Sequence, residues 1–250
     1  SGNTGSSSLD VVVNTVTPVI GINTLAADDV INATEKGQDL QLSGTSNQPE
    51  GTRITVTLNG IDYTAIADAS GNWSVIVPAT AVGALGEAHY TVTANVTDSV
   101  GNSASASHDV LVDSSLPVVT INTLAGDNIV NAAEVAAGQT LTGKVTHAAP
   151  GDTVTIILGG PTYTATVQDD LTWSLPLSES QLTALGNGDL TLSASVTNAH
   201  GNTGSSSLDF TIDAQLPGLR IDTVAGDDVI NIIEHGQNLI VSGSSTDLVA

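Results

Sequence analysis

The sequence predicts an all-β chain of tandem seven-stranded sandwich domains. Three observations carry the prediction. Whole segments recur at a step of about one hundred residues, too long for a solenoid unit and suited to a self-contained domain. Within each copy, short runs alternate apolar and polar residues between turn signals. Val, Ile, Leu and Ala, filled out with Thr and Ser, make up most of the 250 residues, a mixture that favours strands.

The repeat is direct. "LPVVTINTLAGDNIVNAAE" from Leu116 returns as "LPGLRIDTVAGDDVINIIE" from Leu216, and Pro18 opens the matching earlier segment. Tyr63 and Trp73 recur as Tyr163 and Trp173. "SGNTGSSSLD" at 1–10 returns as "HGNTGSSSLD" at 200–209. The expected organisation is therefore the last strand of one repeat over 1–14, complete repeats over 15–114 and 115–214, and the first part of a further repeat over 215–250. With no Met at its start, the chain reads as an internal slice of a longer polypeptide.

The elements follow in order. Strands are expected near 19–24 and 39–43, and "TRITVTL" (52–58) puts Ile54, Val56 and Leu58 on one face. Asn59-Gly60 then fits a tight hairpin, because both residues tolerate the positive φ of a type I′ turn. "IDYTAIA" (61–67) returns, "NWSVIVP" (72–78) follows a Ser-Gly turn, "HYTVTANVTD" (89–98) alternates, and "SHDVLVD" (107–113) closes the repeat. The second repeat matches with "VTIIL" (154–158), "YTATV" (163–167), "LTWSLPL" (171–177), "LTLSASVTN" (190–198) and "LDFTID" (208–213). Seven short strands in about one hundred residues suit an immunoglobulin-like sandwich with Trp73 and Trp173 in its cores.

Charge narrows the function. Asp and Glu number 26 against 4 Lys and Arg, a net charge of -22. Such a surface repels nucleic acid and anionic membranes, leaving no nucleic-acid partner and no membrane insertion, and it attracts cations. There is no cysteine, hence no disulfide or thiolate metal site, and no long apolar run. Neither G-x-S-x-G nor H-E-x-x-H occurs, so no enzyme is expected. The five histidines do not recur from repeat to repeat and read as incidental surface residues, while Glu50, Glu87 and Glu179 lack recurrent partners.

One acidic phrase recurs three times: "AADDVINATEKGQ" from 26, "AGDNIVNAAEVAAGQ" from 125 and "AGDDVINIIEHGQ" from 225. Asn32…Glu35, Asn131…Glu134 and Asn231…Glu234 fit a helix capping box. The box leaves Asp28-Asp29, Asp127-Asn128 and Asp227-Asp228 unexplained, since adjacent carboxylates repel without a cation. Calcium takes such hard oxygens, whereas repeated His or Cys for zinc or copper is missing. With the phrase as the loop between the first two main strands, Asp28, Asp29 and Glu35 are expected to meet Asp113 at the first internal joint, with Asn198 nearby and Asn32 as a further candidate ligand. Asp127, Asn128 and Glu134 are expected to meet Asp213 at the second. Asp98, in "DSVGN", is a further candidate ligand. Asn14 in place of the linker Asp, Asn198 in place of Asp98 and Asn128 in place of Asp29 would weaken individual sites. Two extra residues after Glu134 predict a different loop shape in the second repeat.

These motifs in combination, with "DSSLP" linkers and a mid-domain "GNW" or "TW", resemble the bacterial Ig-like repeats of giant adhesins and biofilm-associated proteins of Gram-negative bacteria. The resemblance covers the whole chain. It implies type I secretion, an extracellular or cell-surface location, a rod of repeats with calcium near the domain junctions, and a role in adhesion or biofilm. Neighbouring repeats of the same chain are the expected partners, with host surface, glycan or other adhesin copies contacted elsewhere. Direct glycan or protein binding by these repeats is the alternative, opposed by the few aromatic residues available for hot spots.

Overall fold

A computed structural model describes residues 1–246. The chain forms two compact units: residues 1–116 with the turn 199–202, and residues 117–198 with the chain from 203 onward. Both are all-β sandwiches of the same topology.

In the first unit, β1 (Ile20–Ile22), β3 (Leu40–Ser46) and β6 (Asn72–Val77) make one sheet in the order β1-β3-β6. The facing sheet runs β2-β8-β7-β4-β5, from β2 (Val30–Ile31), β8 (Ser103–Val112), β7 (Ala88–Thr97), β4 (Arg53–Leu58) and β5 (Ile61–Ile66). The first strand of the repeat is thus split: β1 pairs antiparallel with β3, while β2 crosses to the other sheet and pairs parallel with β8. The expected seven strands become eight by this split. A two-residue β2 offers too short an alternation to be read from sequence. β8 also begins four residues earlier than its apolar pattern suggests, because "SASA" at 103–106 carries only small side chains. A short helix, α1 (Ala79–Gly83), follows β6.

The second unit repeats the plan. β9 (Val118–Ile121), β11 (Gln139–Thr146) and β14 (Thr172–Leu177) form the three-stranded sheet. β10 (Ile129–Asn131), β16 (Thr203–Asp213), β15 (Gly188–Thr197), β12 (Thr153–Leu158) and β13 (Thr162–Thr166) form the five-stranded one. Pro176 is tolerated in β14 because that strand is a sheet edge. The two extra residues after Glu134 lengthen a 3-10 turn (Glu35–Gly37) into the helix α2 (Ala132–Ala137), which ends on Gly138 at φ 73°. A third helix, α3 (Glu179–Leu185), is capped by Ser178.

Each core is closed by the inward faces of both sheets. In the first unit Ile54, Val56, Leu58, Val92, Ala94 and Val96 meet Leu42, Trp73 and Val77. Each fully buried aliphatic side chain contributes roughly 1.5–3 kcal/mol, so a domain of this size needs no disulfide. Trp73 and Trp173 are 2% and 1% exposed, as expected for core residues. The Asn59-Gly60 turn has φ of 49° and 75°, the signs a type I′ hairpin requires. The tryptophans differ in one respect. Trp73 Nε1 donates to the Thr45 carbonyl at 3.3 Å, whereas Trp173 Nε1 is buried with no acceptor among the described residues. The matching carbonyl, Lys144, accepts from the Thr120 hydroxyl at 3.2 Å, and Thr120 stands where the first repeat has Gly21.

Residues 1–19 contain no strand, and the match to β16 over 1–14 remains a sequence relation. Residues 215–246 hold β17 (Gly218–Ile221), a 3-10 turn (Glu234–Gly236) and β18 (Gly243–Thr246). Ile230 there is 53% exposed, while its counterparts Ile31 and Val130 are fully buried.

Each indole lies over a strand glycine. A Cβ on Gly44 would sit 2.0 Å from the Gly21 carbonyl oxygen and 2.5 Å from the Trp73 ring. On Gly143 it would sit 2.0 Å from the Thr120 carbonyl oxygen. Gly44→Ala is therefore expected to destabilise the first unit by about 3 kcal/mol. Gly21→Ala, whose Cβ meets only Thr45 Oγ1 at 3.5 Å, should cost under about 1 kcal/mol. Urea unfolding followed by tryptophan fluorescence measures both.

Candidate functional site

The acidic phrase occupies the crossing between the two sheets. It begins where the first strand leaves β3 and ends at the turn into β3. The paired acids thus lie at the switch from β1 to β2, and only the Asn…Glu part forms the loop expected between the first two main strands. Crossing in so few residues takes consecutive left-handed conformations. Ala26, Ala27 and Asp29 have φ of 50°, 77° and 63°; Ala125, Gly126 and Asn128 have 54°, 94° and 65°. Ala225, Gly226 and Asp228 repeat them.

The side chains satisfy backbone donors that this path exposes. Asp29 Oδ1 accepts from the Leu25 N–H at 2.8 Å, while the Asp29 N–H donates to the Leu25 carbonyl at 2.8 Å. Asn128 does the same with Leu124, and Asp228 with Val224. Asp and Asn serve equally because each tolerates the left-handed region and offers a side-chain acceptor. Asp28, Asp127 and Asp227 each accept, through Oδ1, from the N–H two residues on: Val30, Ile129 and Val229, at 3.1, 2.9 and 3.0 Å. The capping boxes form as the spacing predicts. Asn32 Oδ1 accepts from Thr34 and Glu35, and Glu35 Oε2 accepts from the Asn32 N–H at 3.0 Å. Asn131 with Glu134 and Asn231 with Glu234 match it. Much of the acidity is therefore answered by backbone N–H groups.

Two histidines partner the acids of the phrase and of the linker. His108 Nε2 lies 2.7 Å from Asp29 Oδ1, and His200 Nδ1 lies 2.5 Å from Asp113 Oδ2. They are partners of candidate site residues, not incidental surface groups. The signal was available as a correlated exchange: Asn128 replaces Asp29 where Leu208 replaces His108, and Asn14 replaces Asp113 where Val100 replaces His200. Glu87 also has a role. Its Oε2 accepts from the Ser114 N–H at 2.9 Å, its Oε1 accepts from the Ser114 hydroxyl, and Lys36 Nζ lies 3.3 Å away. Asn187 takes the corresponding Ala214 N–H at 3.2 Å, so this latch on the outgoing linker does recur. The Ser114 hydroxyl and N–H bonds, with Lys36 beside them, hold the Glu87 carboxyl below the usual range.

The candidate ligands are not gathered around one point. Among the described residues, no three His, Asp or Glu side chains come together as a metal cluster. Asp113 Oδ1 accepts from Ser115, and Asp98 caps its own turn through the N–H groups of Val100 and Asn102. Asp213 ends β16 beside β10, paired with Asn131 in register. Chemically the set still suits a hard cation. In Asp28, Asp127, Glu35 and Glu134 one carboxylate oxygen is engaged by backbone and the other takes no hydrogen bond among the described residues.

Ala27→Gly copies Gly126 and Gly226 and removes a left-handed alanine, so it is expected to raise stability by about 1 kcal/mol. Asp29→Asn should cost less than Asp29→Ala, for which about 1–2 kcal/mol is expected. The Leu25 N–H, ahead of His108, holds the Asp29 carboxyl below its usual 3.8. A depressed carboxylate stabilises the fold above that value and loses its contribution as pH falls through the folded value. The stability gap between the native chain and Asp29→Asn should therefore shrink in urea titrations below pH 3.8.

Comparison with known proteins accords with this architecture. A bacterial Ig-like domain model matches residues 29–114 and 120–214. Among solved structures, the chain is similar to a Ca2+-stabilized adhesin that helps an Antarctic bacterium reach out and bind ice. Identity is 30% over 93% of this chain and 58% of that one, with a TM-score of 0.52. It is also similar to a 1.5-MDa bacterial ice-binding adhesin characterised for host cell surface retention, at 29% identity over 94% of this chain and 78% of that one, TM-score 0.50. This chain thus spans little more than half of the first of these structures. No curated protein sequence matches it. Split first strands, buried tryptophans and capped acidic switch loops recur in both units, and the chain belongs to the bacterial Ig-like domain family.

Proposed function

We propose that these repeats are stalk segments of a bacterial surface adhesin, and that calcium held beside the repeat boundaries stiffens the stalk. The observation that carries this reading is the combination of a Ca2+-stabilized adhesin among similar structures with a thrice-repeated carboxylate set that spares oxygens for a hard cation. Asp28 and Glu35 in one repeat, and Asp127 and Glu134 in the next, would contribute those oxygens. Asp113 and Asp213 lie at the ends of the strands that lead into the linkers. Calcium would supply charge neutralisation in a chain whose net charge is -22.

The setting proposed is outside the cell, after type I export, in adhesion or biofilm. Extracellular calcium modules work at roughly 10⁻⁴–10⁻³ M. A site filled tenfold above its Kd adds about 1.4 kcal/mol, and an array adds this at every boundary. No helix among the described residues is long and apolar enough to cross a membrane. The proposed partners are neighbouring repeats, with host or glycan contact made elsewhere in the whole protein. No reaction is proposed.

Isothermal calorimetry of the 250-residue chain with calcium, and small-angle scattering with calcium and then chelator, test the reading. Calcium is expected to bind at sub-millimolar to millimolar concentration and to lengthen the particle. Glu35→Gln keeps the capping box, since Gln serves it as well, and so should weaken calcium binding without unfolding the repeat. Superimposed scattering curves with no heat of binding would leave the acids as backbone caps alone.

A further inference from the structure

The turn 199–202 interrupts the second repeat yet belongs to the first compact unit. Asn202 in that turn is only 2% exposed, and both ends of its amide are engaged within the first unit. Its Oδ1 accepts from the Ala33 N–H at 2.8 Å. Its Nδ2 donates to the Asp113 carbonyl at 2.8 Å. Ala33 directly follows the capping Asn32, where a helical turn leaves N–H groups without internal partners. Asp113 directly follows β8. The turn approaches closely through a left-handed glycine: Gly201 has φ 79°, and a Cβ there would lie 3.4 Å from Asn32 Nδ2.

The donor half of this arrangement appears one repeat earlier. Asn102 Nδ2 donates to the Asn14 carbonyl at 3.3 Å, and position 14 corresponds to 113. Asn102 is itself oriented by Asp98, whose Oδ2 accepts from Nδ2 at 2.9 Å. Gly-Asn occurs at 2–3, 101–102 and 201–202, so every copy of the turn carries it. An amide suits the task because one side chain supplies both a donor and an acceptor. A carboxylate could take the Ala33 N–H but could not donate to a carbonyl.

We propose that Asn202 is a clamp that works without a metal: within the first compact unit its amide ties the end of β8 to the capping loop at Ala33. Its two hydrogen bonds need no cation, so the clamp stays closed in chelator.

Hydrogen exchange of the Ala33 amide in the full 250-residue chain, measured in chelator, tests the clamp. Asn202→Ala should speed exchange at Ala33 at least tenfold and leave the core amides of Ile54 and Val56 unchanged. Asn202→Leu keeps the buried volume, loses both hydrogen bonds and should give the same acceleration. This second variant decides the matter if the alanine variant loosens the core as well. Unchanged exchange at Ala33 in both variants overturns the proposal. So does native protection that disappears on chelation, because the metal would then be the clamp. Absence of calcium binding by calorimetry overturns the calcium reading and leaves this one standing.

Discussion

The constraint on which each repeat depends is that one strand serves two sheets. β1 must pair with β3 and β2 with β8, and the chain must cross the thickness of the sandwich between them. The crossing forces left-handed residues and exposes backbone N–H groups, and any group left unpaired would cost about 1–3 kcal/mol. The acidic phrase supplies the acceptors: one side chain closes back onto position 25, 124 or 224, one caps forward, and the Asn…Glu pair caps the following turn. Once the crossing is fixed, Ile31 and Val130 drop into their cores and the two faces can close over the tryptophans.

What was legible in the sequence follows from which interactions leave a local trace. Alternation gave the long strands, the Asn-Gly pair its hairpin, and N-x-x-E its box, because each rests on residues within a few positions of one another. The two-residue strand β2 left no such trace, and its parallel pairing depends on residues about eighty positions away. The partners of Asp29 and Asp113 come from equally distant segments, 79 and 87 positions away, and that of Glu87 from 27 positions away. Histidines that fail to recur leave no repeating trace. Non-recurrence was the clue, since each is exchanged together with its acid. Proximity in sequence suggests a ligand cluster, but successive side chains along a crossing strand point to different donors. The metal role proposed for these residues rests on their chemistry and on the Ca2+-stabilized adhesin among the similar structures.

The three copies of the phrase allow geometry to be separated from charge. The second acidic position reads Asp29, Asn128 and Asp228, and all three make the same pair of 2.8 Å hydrogen bonds from the left-handed region. A neutral amide does the work there, so the backbone does not require a charge. The first position reads Asp28, Asp127 and Asp227, and the last reads Glu35, Glu134 and Glu234, with no amide in any copy. Yet Asn would accept from the N–H two residues on, and Gln would complete the box. Backbone satisfaction alone therefore does not account for the carboxylates at these two positions. Under the proposed function these two positions supply the negative charge that a hard cation prefers, which position 29 does not have to. Any calcium held by the phrase should consequently depend on its first and last acids far more than on the middle one.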